Sequence, residues 1–569
     1  MFTIQKLTLA ACISLTLSGC VSTSEPTSDP ASPNNNLALL NGKIYTVNNQ
    51  QVWAEAVVVK DQEIVFVGDS SEASRFIDDN TQLVDLKGKL VLPGIHDTHT
   101  HPLEAGSDRV TCILDTEQSL TEIKPIVKSC VDQSTHEGWL LGWGHSLEIL
   151  LDSTQTPREV LDAMNSSQPI AIMEATSHSV WVNSKALEIA GIDASTVQPT
   201  GGIIMKDAKG QPNGILLDAA GDLVFDLAYT PTPELMQSNY EGLLYGLEQV
   251  AQNGITSVVD ARVYWKRGYL DAWQRAVDEN RLTARTALSL WAYPSANDAE
   301  QLAKLKTMYS NDPDSLLRAN QIKFYSDGII HNTTAALLEP YLEHIEEVGS
   351  YGLNYFDKNR LALYTTELEK VGFDMHIHAI GDRGVQESLD AIETAQQTNG
   401  KNSTRHRLTH IEMVSDADKA RFAELGAIAD FQLAGDFTKP ENANWMEPLI
   451  GNRAYEMLPV KDIYETGATV TLSSDWDVSS LSPFVGMQNA LTRGDQSLPN
   501  LDAVIKAYTI NGAYTMRQEE RTGSIEVGKF GDLIILDQNI FEADVNNIGK
   551  TKVLMTILGG NIVYNSGSL

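Results

Sequence analysis

The sequence predicts an α/β fold: a (β/α)8, TIM-like barrel, a small composite β-sandwich domain made from both chain ends, and a large insertion after the first barrel strand. Three observations carry this. Eight apolar, β-rich runs alternate with helix-like stretches, the mark of parallel βα units. Each run ends in polar residues, and polar strand ends are where such barrels do chemistry. Period-2 segments with turn signals, none of helical length, flank the array on both sides.

Residues 1–19 read as an export signal. Lys6 is its only charge, Leu7 to Leu17 form an apolar stretch of 11 residues, and Leu17-Ser18-Gly19-Cys20 follows. That ending resembles the lipobox of bacterial lipoproteins. It implies a lipidated Cys20, membrane contact through that lipid alone, and a place at the bacterial cell envelope. Residues 20–36, rich in Ser, Thr, Pro and Asn, have little to bury and read as a tether. No apolar run reaches the roughly 18–20 residues of a membrane span.

From Leu37, LALL-Asn41-Gly42-KIYTV reads as a hairpin turning at Asn-Gly. AVVV (56–59) and EIVFVG (63–68) read as a second hairpin. The far end mirrors this with DLIILD (532–537), VLMTIL, Gly559-Gly560 and NIVYN. Residues 37–93 and 515–569 are therefore expected to pair into one β-domain, with 94–514 forming the barrel. Its runs are GIHDTHTH (94–101), GITSVVDA (254–261), ARTALSLWA (284–292), QIKFYSDG (321–328), FDMHIHAIGD (373–382), RHRLTHIE (405–412), AIADFQ (427–432) and ATVTLSSDWD (468–477). The stretch of about 104–235 is too long for a loop and must be an insertion with its own structure. It holds PIAIMEATSHSVWVNSKAL (169–187) and a Gly-rich hairpin over 201–218.

Composition narrows the function. With 42% hydrophobic residues in 569, the chain can bury a large core, which excludes disorder for its bulk. Asp and Glu number 75 against 42 Lys and Arg, a net charge of −33, and that field repels nucleic-acid phosphates. Of four cysteines, Cys12 leaves with the signal and Cys20 takes the lipid. Cys112 and Cys130 remain in an oxidising compartment and are expected to pair. The segment between them reads as a turn and then a helix with Ile123, Ile126 and Val127 on one face, which brings a strand end and a helix end within bridging distance.

The chemistry sits at the run ends. His99 and His101 are i and i+2 on a strand and share the interior face, a two-imidazole clip for Zn²⁺. His96 has the opposite parity. Lys323 lies inside a barrel strand, where a bare ammonium is costly to bury. His376 and His378 share one face, His410 ends the sixth run, and Asp475 closes the last. Borderline and hard ligands thus converge on one barrel mouth.

Taken in order, LPGIHDTHTHP, IKFYSDG, HAIGDRGV, RHRLTHIE, SSDWDVSSLSP and TGSIEVGKFGDLIILD resemble the successive motifs of the amidohydrolase superfamily, in its family 3 or YtcJ-like branch. HSVWVNSKAL is similar to a segment peculiar to that branch, and the likeness runs from about Leu37 to Asn565. The resemblance implies a metal-dependent hydrolase carrying one or two divalent ions, zinc first. It makes His99, His101, His378 and His410 ligands and places Lys323 where a carboxylated lysine often bridges two metals. Asp475 matches the aspartate that binds metal and shuttles a proton, and His178 matches a histidine reaching substrate from the insertion. His376 departs from the pattern and leaves open which histidine of that pair binds.

The implied reaction is cleavage of a C–N bond in a small amide, N-acyl or N-formyl amine by a metal-bound hydroxide. The rivals are a cyclic amide or ester hydrolysed at the same centre, and a non-catalytic, lipid-anchored binding protein. Intact residues at six ligand positions argue against the second, and no Gly-X-Ser-X-Gly elbow supports a serine hydrolase. The expected partner is a small-molecule amide, with no nucleic acid; a homodimer is compatible with the sequence.

Overall fold

Strands covered on both faces need long apolar runs, and the eight runs supply them. In the computed structural model they form Ile95–Thr100, Ile255–Val263, Arg285–Trp291, Leu317–Tyr325, Asp374–Ala379, Arg407–His410, Ile428–Gln432 and Val470–Ser473. These eight parallel strands follow one another around the sheet in chain order. The ring closes at its rim, where Asp475 N donates to His99 O at 2.8 Å and His101 N to Trp476 O at 2.7 Å. Register sets the layers of the interior: Lys323 is level with His376, Tyr325 with His378, and Ala379 with His410. The structure describes residues 36–108, 111–134, 138–151 and 155–569, which belong to one compact unit, Asn35–Leu569. The expected export signal, Cys20 and most of the expected tether lie outside the described residues. Among the described residues no helix is long and apolar enough to cross a membrane.

The helix Pro102–Asp108 starts one residue after His101 and lies directly on the helix Pro233–Gln252. Glycines permit that approach: a Cβ on Gly106 would sit 1.9 Å from Gly242 O, and one on Gly246 would sit 2.1 Å from Pro102 O. The tight crossing anchors the chain that leaves the His99–His101 strand.

The insertion builds a separate six-stranded sheet, in the order Gly202–Lys206, Pro212–Asp218, Ser179–Val182, Ile170–Glu174, Leu140–His145 and Cys112–Ile113. The Gly-rich hairpin is present as an antiparallel pair. Trp181 is fully buried in this sheet and donates its indole N–H to Pro157 O at 2.8 Å. Cys112 and Cys130 form a disulfide with Cα atoms 5.9 Å apart, tying the edge strand to the helix Leu120–Gln133.

The two chain ends share a sandwich. Leu90–Pro93 pairs with Leu533–Leu536 on one side and Lys43–Tyr45 on the other, within a six-stranded sheet. A four-stranded sheet of Glu63–Gly68, Ala56–Lys60, Leu37–Leu40 and Gln82–Asp85 faces it. The hairpins at Asp61-Gln62 and Gly559-Gly560 form, all four residues having positive φ. The hairpin expected at Asn41-Gly42 does not. Leu37–Leu40 pairs with Ala56–Lys60 and Gln82–Asp85, while Lys43–Tyr45 joins the other sheet. Asn41, with φ 58°, kinks the chain from one layer to the other, and the Gly42 turn packs so closely on Leu86 that a Cβ would meet its Cδ1 at 2.3 Å. Alternation marks both segments as strands, and burial of both apolar faces in one core decides their partners.

Candidate metal centre

Strand pleating puts His99 on the interior face and His101 above it at the rim, while His96 points outward and bonds Thr522 Oγ1 through Nε2 at 3.0 Å. Asp475 is the hub. Its Oδ1 lies 3.1 Å from His101 Nε2 and 3.3 Å from His99 Nε2, and its Oδ2 lies 3.8 Å from His410 Nδ1. Lys323 Nζ reaches within 3.4 Å of His99 Nε2. The His378 ring is 4.6 Å from that of His410 and 5.2 Å from that of His178. The structure therefore brings together every barrel residue singled out in the sequence, and His178 with them. His410, Ile411 and Asp475 all hold positive φ, so backbone strain is present at this mouth as well as at several turns elsewhere.

Burial decides the charges. It pushes His99 and His378 well below the ordinary imidazole range and His410 down to about 3, with nearby cationic groups adding to the effect at each. It also drives Lys323 far below the usual lysine value. Burial opposes ionisation of Asp475, yet His99, His101 and His410 hold its carboxyl well below 3.8. The result is a set of buried nitrogen donors around one carboxylate.

The orphaned atoms fit a cation. His378 donates from Nε2 to Gly328 O at 3.1 Å, and its buried Nδ1 lone pair has no hydrogen-bond partner; His101 Nδ1 also lacks a hydrogen bond, with Glu104 Oε2 3.6 Å away. Imidazole and carboxylate donors of this kind suit zinc and similar divalent ions. Two groups bring ligand atoms within 4.8 Å of one another: His99, His410 and Asp475, and deeper, His99, His376 and Asp430. The deeper set is already engaged. Asp430 accepts from Thr98 at 2.9 Å, Thr471 at 2.6 Å and Ser473 at 3.0 Å, and His376 Nδ1 accepts from Arg407 Nη2 at 2.6 Å. His378 is thus the member of its pair that faces the mouth, and His376 is a floor residue.

Above the cluster opens a cavity of about 480 Å³. The insertion supplies one wall, including His178, whose Nδ1 donates to Asp218 Oδ1 at 2.7 Å. Tyr355 OH donates to the same oxygen at 2.7 Å. Tyr325 stacks on His378 at 4.2 Å and accepts from Arg262 at 2.9 Å. Asp218 and Asp430 escaped the sequence reading, although each is an acid inside or closing an apolar run. That mismatch was the available signal.

Barrel, rim cluster and overlying cavity define a hydrolase of the metal-dependent kind. A family model described as the amidohydrolase family matches residues 82–564, and the chain belongs to that family, whose hydrolases act on C–N bonds. It is 27% identical over 569 residues to Protein LONG AFTER FAR-RED 3 of Arabidopsis thaliana, covering 95% of this chain and 94% of that one. It is 26% identical over 545 residues to the N-substituted formamide deformylase of Arthrobacter pascens, covering 93% and 98%. An uncharacterized metal-dependent hydrolase from Pyrococcus furiosus shares the fold, with a TM-score of 0.68 at 23% identity, covering 89% of this chain and 99% of that one.

Proposed function

We propose that the protein hydrolyses the C–N bond of a small amide, an N-acyl or N-formyl amine, with one or two divalent ions, zinc first. His99, His101, His378, His410 and Asp475 would hold them, with a carboxylated Lys323 as a further ligand. The observation that carries this reading is the convergence of buried imidazoles, a lysine amine and one carboxylate beneath the cavity. Bound there, such ions supply Lewis acidity that makes water acidic near neutral pH and polarises a carbonyl.

The chain's own residues do the rest. Asp475, held ionised, takes the proton of the attacking water and delivers it to the leaving nitrogen, which cannot depart as an amide anion. His178, fixed by Asp218 through Nδ1, offers Nε2 as an acceptor to the substrate N–H. The neutral Lys323 amine attacks CO₂, forming an N–C bond and releasing a proton to leave a carbamate anion. The resemblance of the Arthrobacter relative, a formamide deformylase by name, supports an N-formyl substrate. The test is a panel of N-formyl, N-acyl, cyclic amide and ester substrates assayed before and after chelation. Chelator-sensitive cleavage of open-chain amides is expected; cleavage of esters alone, or of nothing with metal bound, overturns it.

We further place the enzyme at a bacterial envelope membrane, anchored by lipid on Cys20. Membrane fractionation of Cys20→Ser tests this: release into the soluble fraction is expected, and retention refutes it.

A further inference from the structure

The cavity has a second polar end that hydrolysis leaves unused. His145 ends the strand Leu140–His145 and Glu174 ends its neighbour Ile170–Glu174, and the two are paired in register. Both line the cavity, at 0% and 1% exposure. His145 donates from Nδ1 to Ser146 O at 3.0 Å, which leaves Nε2 as a buried acceptor without a partner. Among the described residues, Glu174 Oε2 accepts from neutral donors, Ser179 Oγ at 2.9 Å and Asn332 Nδ2 at 3.2 Å. Asn332 Oδ1, also fully buried, has no partner.

The cations near this end are already taken. Arg262 pairs with Glu104 at 3.0 Å, and His331 pairs with Glu148 at 2.8 Å. Among the described residues no ion pair engages Glu174. A buried acid beside the unfilled His145 acceptor lacks a positive, donor-rich group. An ammonium carries three N–H donors and no acceptor, enough to satisfy both His145 Nε2 and Glu174. At the mouth, Trp445 and Phe437 are 38% and 42% exposed, and their ring faces favour a cation on its way in.

We propose that His145 and Glu174, the latter held by Asn332, form a subsite for a primary ammonium, so that the substrate is an amide of a diamine or a similar amine-bearing molecule. The substrate assignment rests on the amide hydrolysis proposed above; the subsite itself does not.

The test is calorimetric titration of the metal-loaded full chain with n-hexylammonium and with hexan-1-ol, in wild type and Glu174→Gln. Charge-assisted hydrogen bonds predict about 10–100-fold tighter binding of the ammonium by wild type. In the variant the ratio of the two affinities falls toward one. Equal affinities in wild type, an unchanged ratio in Glu174→Gln, or a metal ion found between His145 and Glu174 overturns the proposal. If the variant does not fold, the wild-type ratio alone decides. Because binding is read without turnover, the two readings fail separately. An enzyme that cleaves amides but binds both ligands equally loses only the ammonium subsite. One that prefers the ammonium but cleaves no amide loses only the reaction.

Discussion

Replacing Asp475 by Asn removes one charge and keeps the volume. The carboxylate sits 3.1 Å from His101 Nε2, 3.3 Å from His99 Nε2 and 3.8 Å from His410 Nδ1, so the isosteric amide fits without displacing any imidazole. What disappears is the base. Those imidazoles hold the carboxyl well below its ordinary value against the effect of burial, so wild type carries a proton acceptor throughout the neutral range. An amide cannot accept that proton or return it to the leaving nitrogen. Loss of a general acid–base group lowers kcat by about 10²–10⁴, a barrier increase of about 3–5 kcal/mol. The imidazoles and Lys323 remain, so metal content should fall far less than turnover. Steady-state kinetics on the best amide of the panel, with elemental analysis of the same sample, reads both quantities. Undiminished kcat in a metal-loaded Asp475→Asn enzyme would remove Asp475 from the proton path.

Three further outcomes follow from other parts of the molecule. Cys130→Ser opens the bridge across 18 residues and should cost about 3 kcal/mol in the chain-entropy model, read as a lower urea midpoint; an unchanged midpoint refutes this. His96, buried and neutral, is held down to about 4 by burial, with the nearby Asp532 opposing. Its unfolded form binds a proton more readily, so its contribution is whole above pH 6.5 and is lost as pH falls toward 4, by about 3 kcal/mol. His96→Gln should flatten that acid slope, and equal slopes in the two proteins would contradict the linkage. Lys323→Ala should lose metal and activity together, and density for an unmodified Lys323 amine in a fully metal-loaded crystal would exclude the carbamate.

The barrel was legible because its strands are buried on both faces, so apolar runs stand out and their polar ends mark the mouth. His99 and His101 were legible through strand parity together with the hydrophobic strand KLVLPGIHD that leads into them, since a two-residue period fixes the face. Parity could not separate His376 from His378, which share a face; depth in the barrel separates them, and depth depends on register with Lys323 and Tyr325. The Asn41-Gly42 hairpin failed for a related reason: alternation identifies a strand and not its partner. The insertion resisted most. Its strands alternate like any sheet, and nothing local shows that Ile170–Glu174 and Leu140–His145 end at the barrel mouth. His145 therefore gave no signal, whereas Glu174, Asp218 and Asp430 each carried one, as acids inside or closing apolar runs. The cysteine pair was readable by elimination together with a turn–helix spacing, and the bridge is present.

The central claim is that the rim cluster is a metal site. Anomalous diffraction from crystals of the native protein, collected on both sides of the zinc edge, tests it most directly. The account predicts one or two anomalous peaks bonded to imidazole nitrogens of His99, His101, His378 and His410 and to an Asp475 oxygen. No peak within this cluster, in crystals of protein that hydrolyses amides after exhaustive chelation, would contradict it.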